Sequence, residues 1–182
     1  MSKKTVIVLD AGHGGKDGGA SKYLLEKKVN LSIAKYARDY LKKKGYTVKM
    51  TRTTDICVGN ASTIARKINR FKPTLAVSIH ANAGGGDGAE VYYSIVGGTG
   101  KVLATNILKE LEKVGQNSRG IKTRKNERGT DYYGVIRETV CPAVIVEVGF
   151  VDNKKDAAQF DTLAEQKVFA EAIAKGIIKT IK

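Results

Sequence analysis

The chain of 182 residues contains only two histidines, and both follow apolar runs. His13 stands three residues past "VIVLD" in "VIVLDAGHGGKDGGA", and His80 closes "TLAVSIH". Imidazole carries protons near neutral pH and is the commonest metal ligand. A catalytic zinc has three nitrogen or oxygen ligands from the protein and one position open to water, so two histidines ask for a carboxylate. Two glutamates qualify. Glu147 interrupts the apolar stretch "AVIVEVGF", where an unpaired charge would cost several kcal/mol or take up a proton. An acid in that place wants a metal, a cation or a catalytic task; the plainer alternative is a buried ion pair with an arginine such as Arg137. Glu26 precedes the first helical pattern, where a carboxylate at a helix start is ordinary. Spacing alone leaves the choice between them open.

The elements that must position these groups alternate between strand and helix. Val6 to Asp10 reads as a buried strand, and Val29, Ile33, Ala37 and Leu41 recur at helical spacing until Lys42, Lys43, Lys44 and Gly45 close the helix. "YTVKMT" alternates as a strand; Ile64, Ile68 and Phe71 line a second helix; "TLAVSI" and "AEVYYSIV" are further strands. Leu103, Ile107, Leu111 and Val114 mark a third helix, "AVIVEV" a strand, and Phe169, Ile173 and Ile177 a terminal helix. This alternation predicts an α/β fold with a mostly parallel central sheet of about six strands and helices on both faces. In such sheets ligands bind beyond the carboxyl ends of the strands. His13 and His80 both lie at such ends and can converge there. The glycines around His13 match neither a phosphate loop, GxxxxGK[ST], nor a dinucleotide fingerprint, GxGxxG, and are expected to turn the backbone sharply beside the histidine.

Composition narrows the class. With 42% apolar residues, two prolines and no repeat, the expectation is one domain over 1–182 with a sizeable core. The N-terminal "MSKKTVIVLD" has too short an apolar run for a signal peptide, which predicts synthesis in the cytoplasm. No run approaches the roughly 20 residues of a membrane span. Cys57 and Cys141 form no CxxC pair and are expected to be reduced and largely buried. The net charge of +14 implies an anionic partner. Many lysines fall on helix faces, while Arg119, Lys122, Arg124, Lys125 and Arg128 sit in "SRGIKTRKNERG", which reads as a loop. No nucleic-acid-binding motif accompanies the charge, so neither a nucleic acid nor a membrane is expected as partner.

Four segments in order, "DAGHGGKDGGA", the Glu26 of "LLEKKVNLSIA", "VSIHAN" and "PAVIVEVGFVDN", resemble the type 3 family of zinc-dependent N-acetylmuramoyl-L-alanine amidases, found among bacterial autolysins and phage endolysins. The resemblance runs from Val6 to the terminal helix. It implies one Zn2+ per chain bound by His13, Glu26 and His80, with Glu147 as the catalytic acid/base, and so decides between the two glutamates. It further implies peptidoglycan as substrate, cut at the amide between N-acetylmuramic acid and L-alanine. Arg137 in "GVIRET" is expected as a second catalytic cation near the reacting carbonyl, Asp10 and Asn82 as partners that orient the histidines, and Tyr132 and Tyr133 as flanks of the groove. "VDN" stands where serine then asparagine is usual, and Cys141 precedes Pro142 where another small or apolar residue is usual; neither touches the proposed chemistry. The lack of wall-binding repeats and of an exporting signal favours a monomeric, phage-type lysin domain that reaches the cell wall after release. Anionic wall polymers would attract it through its charge.

Overall fold

The computed structural model describes residues 5–182; Met1 to Lys4, which begin the N-terminal segment read above, lie outside the described residues. Among the described residues six strands and six helices follow in the order β1 (Val6–Ala11), α1 (Glu26–Lys43), β2 (Thr47–Met50), α2 (Ala61–Arg70), β3 (Leu75–Asn82), β4 (Ala89–Tyr93), α3 (Gly98–Lys113), β5 (Ser118–Lys122), α4 (Gly134–Glu138), β6 (Ala143–Phe150), α5 (Lys154–Ala157) and α6 (Leu163–Ile181). They form one sheet of order β2-β1-β3-β6-β4-β5. Every neighbouring pair is parallel except β4 and β6, which run antiparallel.

The near-continuous apolar runs of β1, β3 and β6 follow from burial on both sheet faces. Successive side chains point to opposite faces, so one strand feeds two cores. Ile7 and Leu9 of β1, Val77 and Ile79 of β3, and Val144 and Val146 of β6 pack into the larger core with α1, α3 and α6. Val8, Ala76 and Ala143, from the same strands, pack into a smaller one with Ile64 and Ile68 of α2 and Val135 of α4. α1 buries Val29, Ile33, Ala37 and Leu41 on the stripe that its spacing marks. α6 opens with a reciprocal cap: the Thr162 hydroxyl accepts from the Glu165 amide while the Glu165 carboxylate accepts from the Thr162 amide. Opposed packing of this kind holds the carboxyl ends of β1, β3 and β6 side by side.

Three sequence expectations need correction. The cationic stretch read as a loop begins with a strand, β5; it lies at the sheet edge with its first residues exposed, so it lacks the apolar alternation that would mark it. Cys57 is exposed in a connecting loop, and Cys141, in the segment before β6, is half-buried at the margin of the smaller core. Glu26 is the first residue of α1 rather than a residue ahead of it.

Candidate metal centre

β1 ends at Ala11, and the Gly12 amide then donates to the Ile79 carbonyl at 2.9 Å, which keeps the loop against β3 as it leaves the sheet. A Cβ at Gly12 would meet the His80 ring at 2.2 Å, so only glycine lets that ring lie over the loop. His13 adopts φ 62°, a left-handed conformation unusual outside glycine, and here it turns the imidazole back across the strand ends. Arg52, buried behind the loop, ties it down by donating to the carbonyls of Ala11, Gly12 and Lys27 at 2.8–2.9 Å.

His13, Glu26 and His80 meet at this point. Glu26 Oε1 lies 3.1 Å from His13 Nε2 and 3.1 Å from His80 Nδ1, and the two rings stand edge to face with centroids 5.0 Å apart. Ligands of a tetrahedral zinc with bonds of 2.0–2.1 Å are separated by about 3.3 Å, close to the distance of Glu26 Oε1 from each ring nitrogen, and the three ligand atoms all lie within 4.8 Å of one another. Two imidazoles and one carboxylate are also a donor set known for catalytic zinc. Glu26 is fixed from behind: Oε2 accepts from the Ala20 amide at 2.8 Å, and Oε1 accepts from Asn30 Nδ2 at 3.2 Å and the Ala81 amide at 3.3 Å. Burial opposes ionisation of Glu26, but the hydrogen bonds with His13 and His80 overcome it and hold the carboxyl well below its usual range. Bonding to Glu26 lifts His13 to about 9 against the opposing effect of burial. For His80, burial favours the neutral ring, yet bonding to Glu26 and the Glu147 charge raise it on balance. The cluster attracts positive charge, as a metal site must.

Glu147 stands beside this cluster. It is in register with His80 on one side and with Glu90 of β4 on the other. It lines a cavity of about 380 Å³ together with His13, His80 and Tyr133. Burial pushes its carboxyl up to about 7, with the Glu26 and Glu90 charges adding to the shift and the His80 charge opposing it. Glu90 is instead saturated by Tyr92 Oη at 2.9 Å, Asn82 Nδ2 at 3.1 Å, Arg119 Nε at 2.9 Å and Lys122 Nζ. Although buried, Glu90 is therefore held below the usual range by Lys122, Arg119 and Tyr92. Arg119 and Lys122, grouped above with the loop cations, both pair with Glu90 here.

The remaining expectations divide. Tyr133 lines the cavity, but Arg137 does not. Its Nη1 donates to the Asp131 and Tyr132 carbonyls at 2.7 and 3.0 Å, Nη2 to Glu138 at 3.0 Å, and these acceptors draw the guanidinium into a neighbouring cavity. It forms no ion pair with Glu147. Asp10 binds the hydroxyls of Ser78 and Thr51 and so bridges β1 to β3 and the end of β2. Asn82 donates to Glu90. Neither bonds an imidazole. Besides Glu26, the carboxylate beside an imidazole is Asp17, whose Oδ1 lies 2.8 Å from His13 Nδ1 and also accepts from the Gly19 amide. Sequence reading missed Asp17, Asn30 and Arg52. Their signals were an acid four residues after His13, a polar residue on the buried stripe of α1 one turn after Glu26, and an arginine just past β2.

A family model described as N-acetylmuramoyl-L-alanine amidase matches residues 7–179. The endolysin of Bacillus phage SPP1 is 38% identical, with all of this chain matched to 67% of that protein. Cwp6 from Clostridium difficile superposes with a TM-score of 0.95 at 40% identity; the match takes in the whole of this chain and 30% of that one. The catalytic domain of the amidase CwlV from Bacillus (Paenibacillus) polymyxa has a TM-score of 0.86 at 33% identity, with 97% of this chain and 98% of that one matched.

Proposed function

The chain belongs to the N-acetylmuramoyl-L-alanine amidase family, and from that premise we propose that it is a zinc enzyme that lyses bacterial cell walls. The bond cut is the amide joining the lactyl group of N-acetylmuramic acid to the first alanine of the peptide stem. The observation that carries this reading is that Glu26 Oε1 stands 3.1 Å from a ring nitrogen of both His13 and His80, beside Glu147, which has no lysine or arginine at ion-pair distance among the described residues. His13, Glu26 and His80 would hold one zinc per chain. When bound, zinc supplies a Lewis acid that makes water a stronger acid and a carbonyl a better electrophile.

The chain's own residues do the rest. Glu147, whose proton affinity burial brings near neutrality, takes the proton of the attacking water and returns it to the departing alanine nitrogen. Asp17 holds the His13 ring in one orientation. The Ala20 and Ala81 amides and Asn30 hold the Glu26 carboxylate so that its oxygen keeps facing both rings. With relatives that include a phage endolysin, we assign the biological role to wall lysis of the endolysin type, acting on peptidoglycan and attracted to anionic wall polymers by the charge of +14.

Digestion of purified walls tests the reading. Released stems should carry a new free amine on alanine, glycan strands should stay intact, and reducing ends should not increase. A new amine on a later stem residue would turn the enzyme into a peptidase, and new reducing ends into a glycosidase.

A further inference from the structure

A second cavity, of about 690 Å³, opens on the other side of α4 from the zinc-site cavity. Arg124, Lys125, Arg128 and Arg137 line it against a single carboxylate, Glu127. Arg137 pairs with Glu138, but among the described residues Arg124, Lys125 and Arg128 have no carboxylate at ion-pair distance. Their positive charge faces open space.

The cations sit on a braced support. The 124–132 hairpin is closed by the Tyr132 amide donating to the Arg124 carbonyl at 2.8 Å, and by an antiparallel backbone bridge between Lys125 and Asp131. Inside the turn, Asn126 Oδ1 accepts from the Arg128 and Thr130 amides at 2.9 and 3.2 Å. Buried Asp131 anchors the hairpin to the body through Ser94 and the Ile95 amide at 2.7 and 2.8 Å. Two guanidinium groups are then fixed around residue 132: Arg124 lies 3.8 Å over the Tyr132 ring, and Arg137 is tied to the Asp131 and Tyr132 carbonyls. Guanidinium groups held in place are suited to carboxylates, which they bind with paired hydrogen bonds.

The two cavities are one aromatic pair apart. Tyr133 lines the first and Tyr132 the second, with ring centroids 5.1 Å apart. An extended chain advances about 3.3–3.6 Å per residue, so the 5.1 Å between the two tyrosine rings is less than two residues of a stem that leaves the first cavity along them. Stem peptides carry carboxyl groups beyond that first alanine.

We propose that the Arg124–Arg137 cavity is a substrate subsite that binds a free carboxylate of the peptide stem just beyond the first alanine. The subsite rests on the reaction proposed above. The loop cations thereby select among stems, favouring those with a free carboxyl over those with it amidated.

The test uses the zinc-loaded full chain and two soluble muramoyl tripeptides that differ only in whether the α-carboxyl of the second stem residue is free or amidated. Arg124→Gln should raise KM about 5-fold on the free form, the upper scale of one ion pair in an exposed site, and less than about 2-fold on the amidated form. Changes in kcat should stay within about 2-fold on both. Arg124→Lys, which keeps the charge, should recover part of the loss, and Arg128→Gln should repeat it more weakly. An equal KM rise on both forms, or no rise on either, overturns the subsite. So does a variant that spares both soluble substrates and only lowers retention on phosphate-bearing walls, which would make the cavity a polymer dock. The two proposals fail separately. Locating the new amine in the same digest tests the bond cut, whereas calorimetric titration with the two tripeptides lacking the sugar tests carboxylate binding without any cleavage.

Discussion

The cavity that contains His13, His80 and Glu147 is walled by strand ends and the starts of α2 and α4, whereas the cavity beyond Tyr132 hangs on a hairpin at the edge of the sheet. In the first, charged groups are partly or wholly buried, touch one another at 3.1 Å and shift each other's proton affinities. In the second, the cations are exposed and face solvent. The contrast follows from what each cavity must do. Metal ligands have to be held to a fraction of an ångström, which elements clamped between two cores provide. Charge recognition tolerates looser placement and sits on a loop, where side chains can change without disturbing the core.

Three measurements strain this contrast, beginning with the largest effect. His80→Ala removes one of the three proposed zinc ligands, so zinc content should fall from about one per chain to near zero and wall lysis should be abolished. A His80→Ala protein that keeps its zinc and its activity would dissolve the distinction between the cavities, since the strand ends would then be doing no chemistry.

Glu147→Gln comes next. The amide fills the same space but cannot take a proton, so the rate should drop on the order of 100-fold or more, the usual scale for losing a general base. Zinc content should stay near normal, because Glu147 lies outside the His13, Glu26 and His80 cluster that is proposed to hold the metal. Loss of zinc in this variant would make Glu147 a ligand.

The smallest effect is on stability. In the metal-free protein His13 is raised from 6.5 to about 9 by Glu26. A raised group stabilises the fold fully below its unfolded value and loses that contribution as pH climbs through the folded one. After chelation, Tm should therefore decline between pH 6.5 and about 9, by a few degrees at the usual roughly 2–4 °C per kcal/mol for a protein of this size. Glu26, held low, contributes above its ordinary range and loses its effect only in strong acid, so it does not oppose this trend. With zinc present the slope should reverse, because ligation demands unprotonated rings. Arg124→Gln should leave Tm nearly unchanged in either state, as its partners are a ring face and solvent. Parallel pH profiles with and without zinc would show that His13 is not a ligand.

Much of the positioning of the site was legible because it follows from local periodicity. β1, β3 and β6 announced themselves as apolar runs, α1 as a stripe, and the acid inside β6 as an anomaly among aliphatic neighbours. β5 and α4 escaped because one is an exposed edge strand and the other a five-residue helix, too short for a helical period to register. Arg137 was misplaced for a related reason. Its number in the chain lies close to β6, but its direction is set by the Asp131 and Tyr132 carbonyls, partners that emerge only when the hairpin closes.

The amino-acid sequence alone determined the α/β class, the two histidines beyond strand ends, and the expectation of a metal held by nitrogen and oxygen, because burial and residue chemistry act on neighbours along the chain. Tertiary structure alone decided which atoms meet. Glu26 is 54 positions from His80, yet its oxygen faces both rings. Asp17, rather than Asp10 or Asn82, supports His13. Arg119 and Lys122 pair with Glu90, while Arg124 stays open to solvent. These pairings depend on the crossing of chain segments remote in sequence, and interactions that fall off over a few ångströms cannot be read until the fold has brought those segments together.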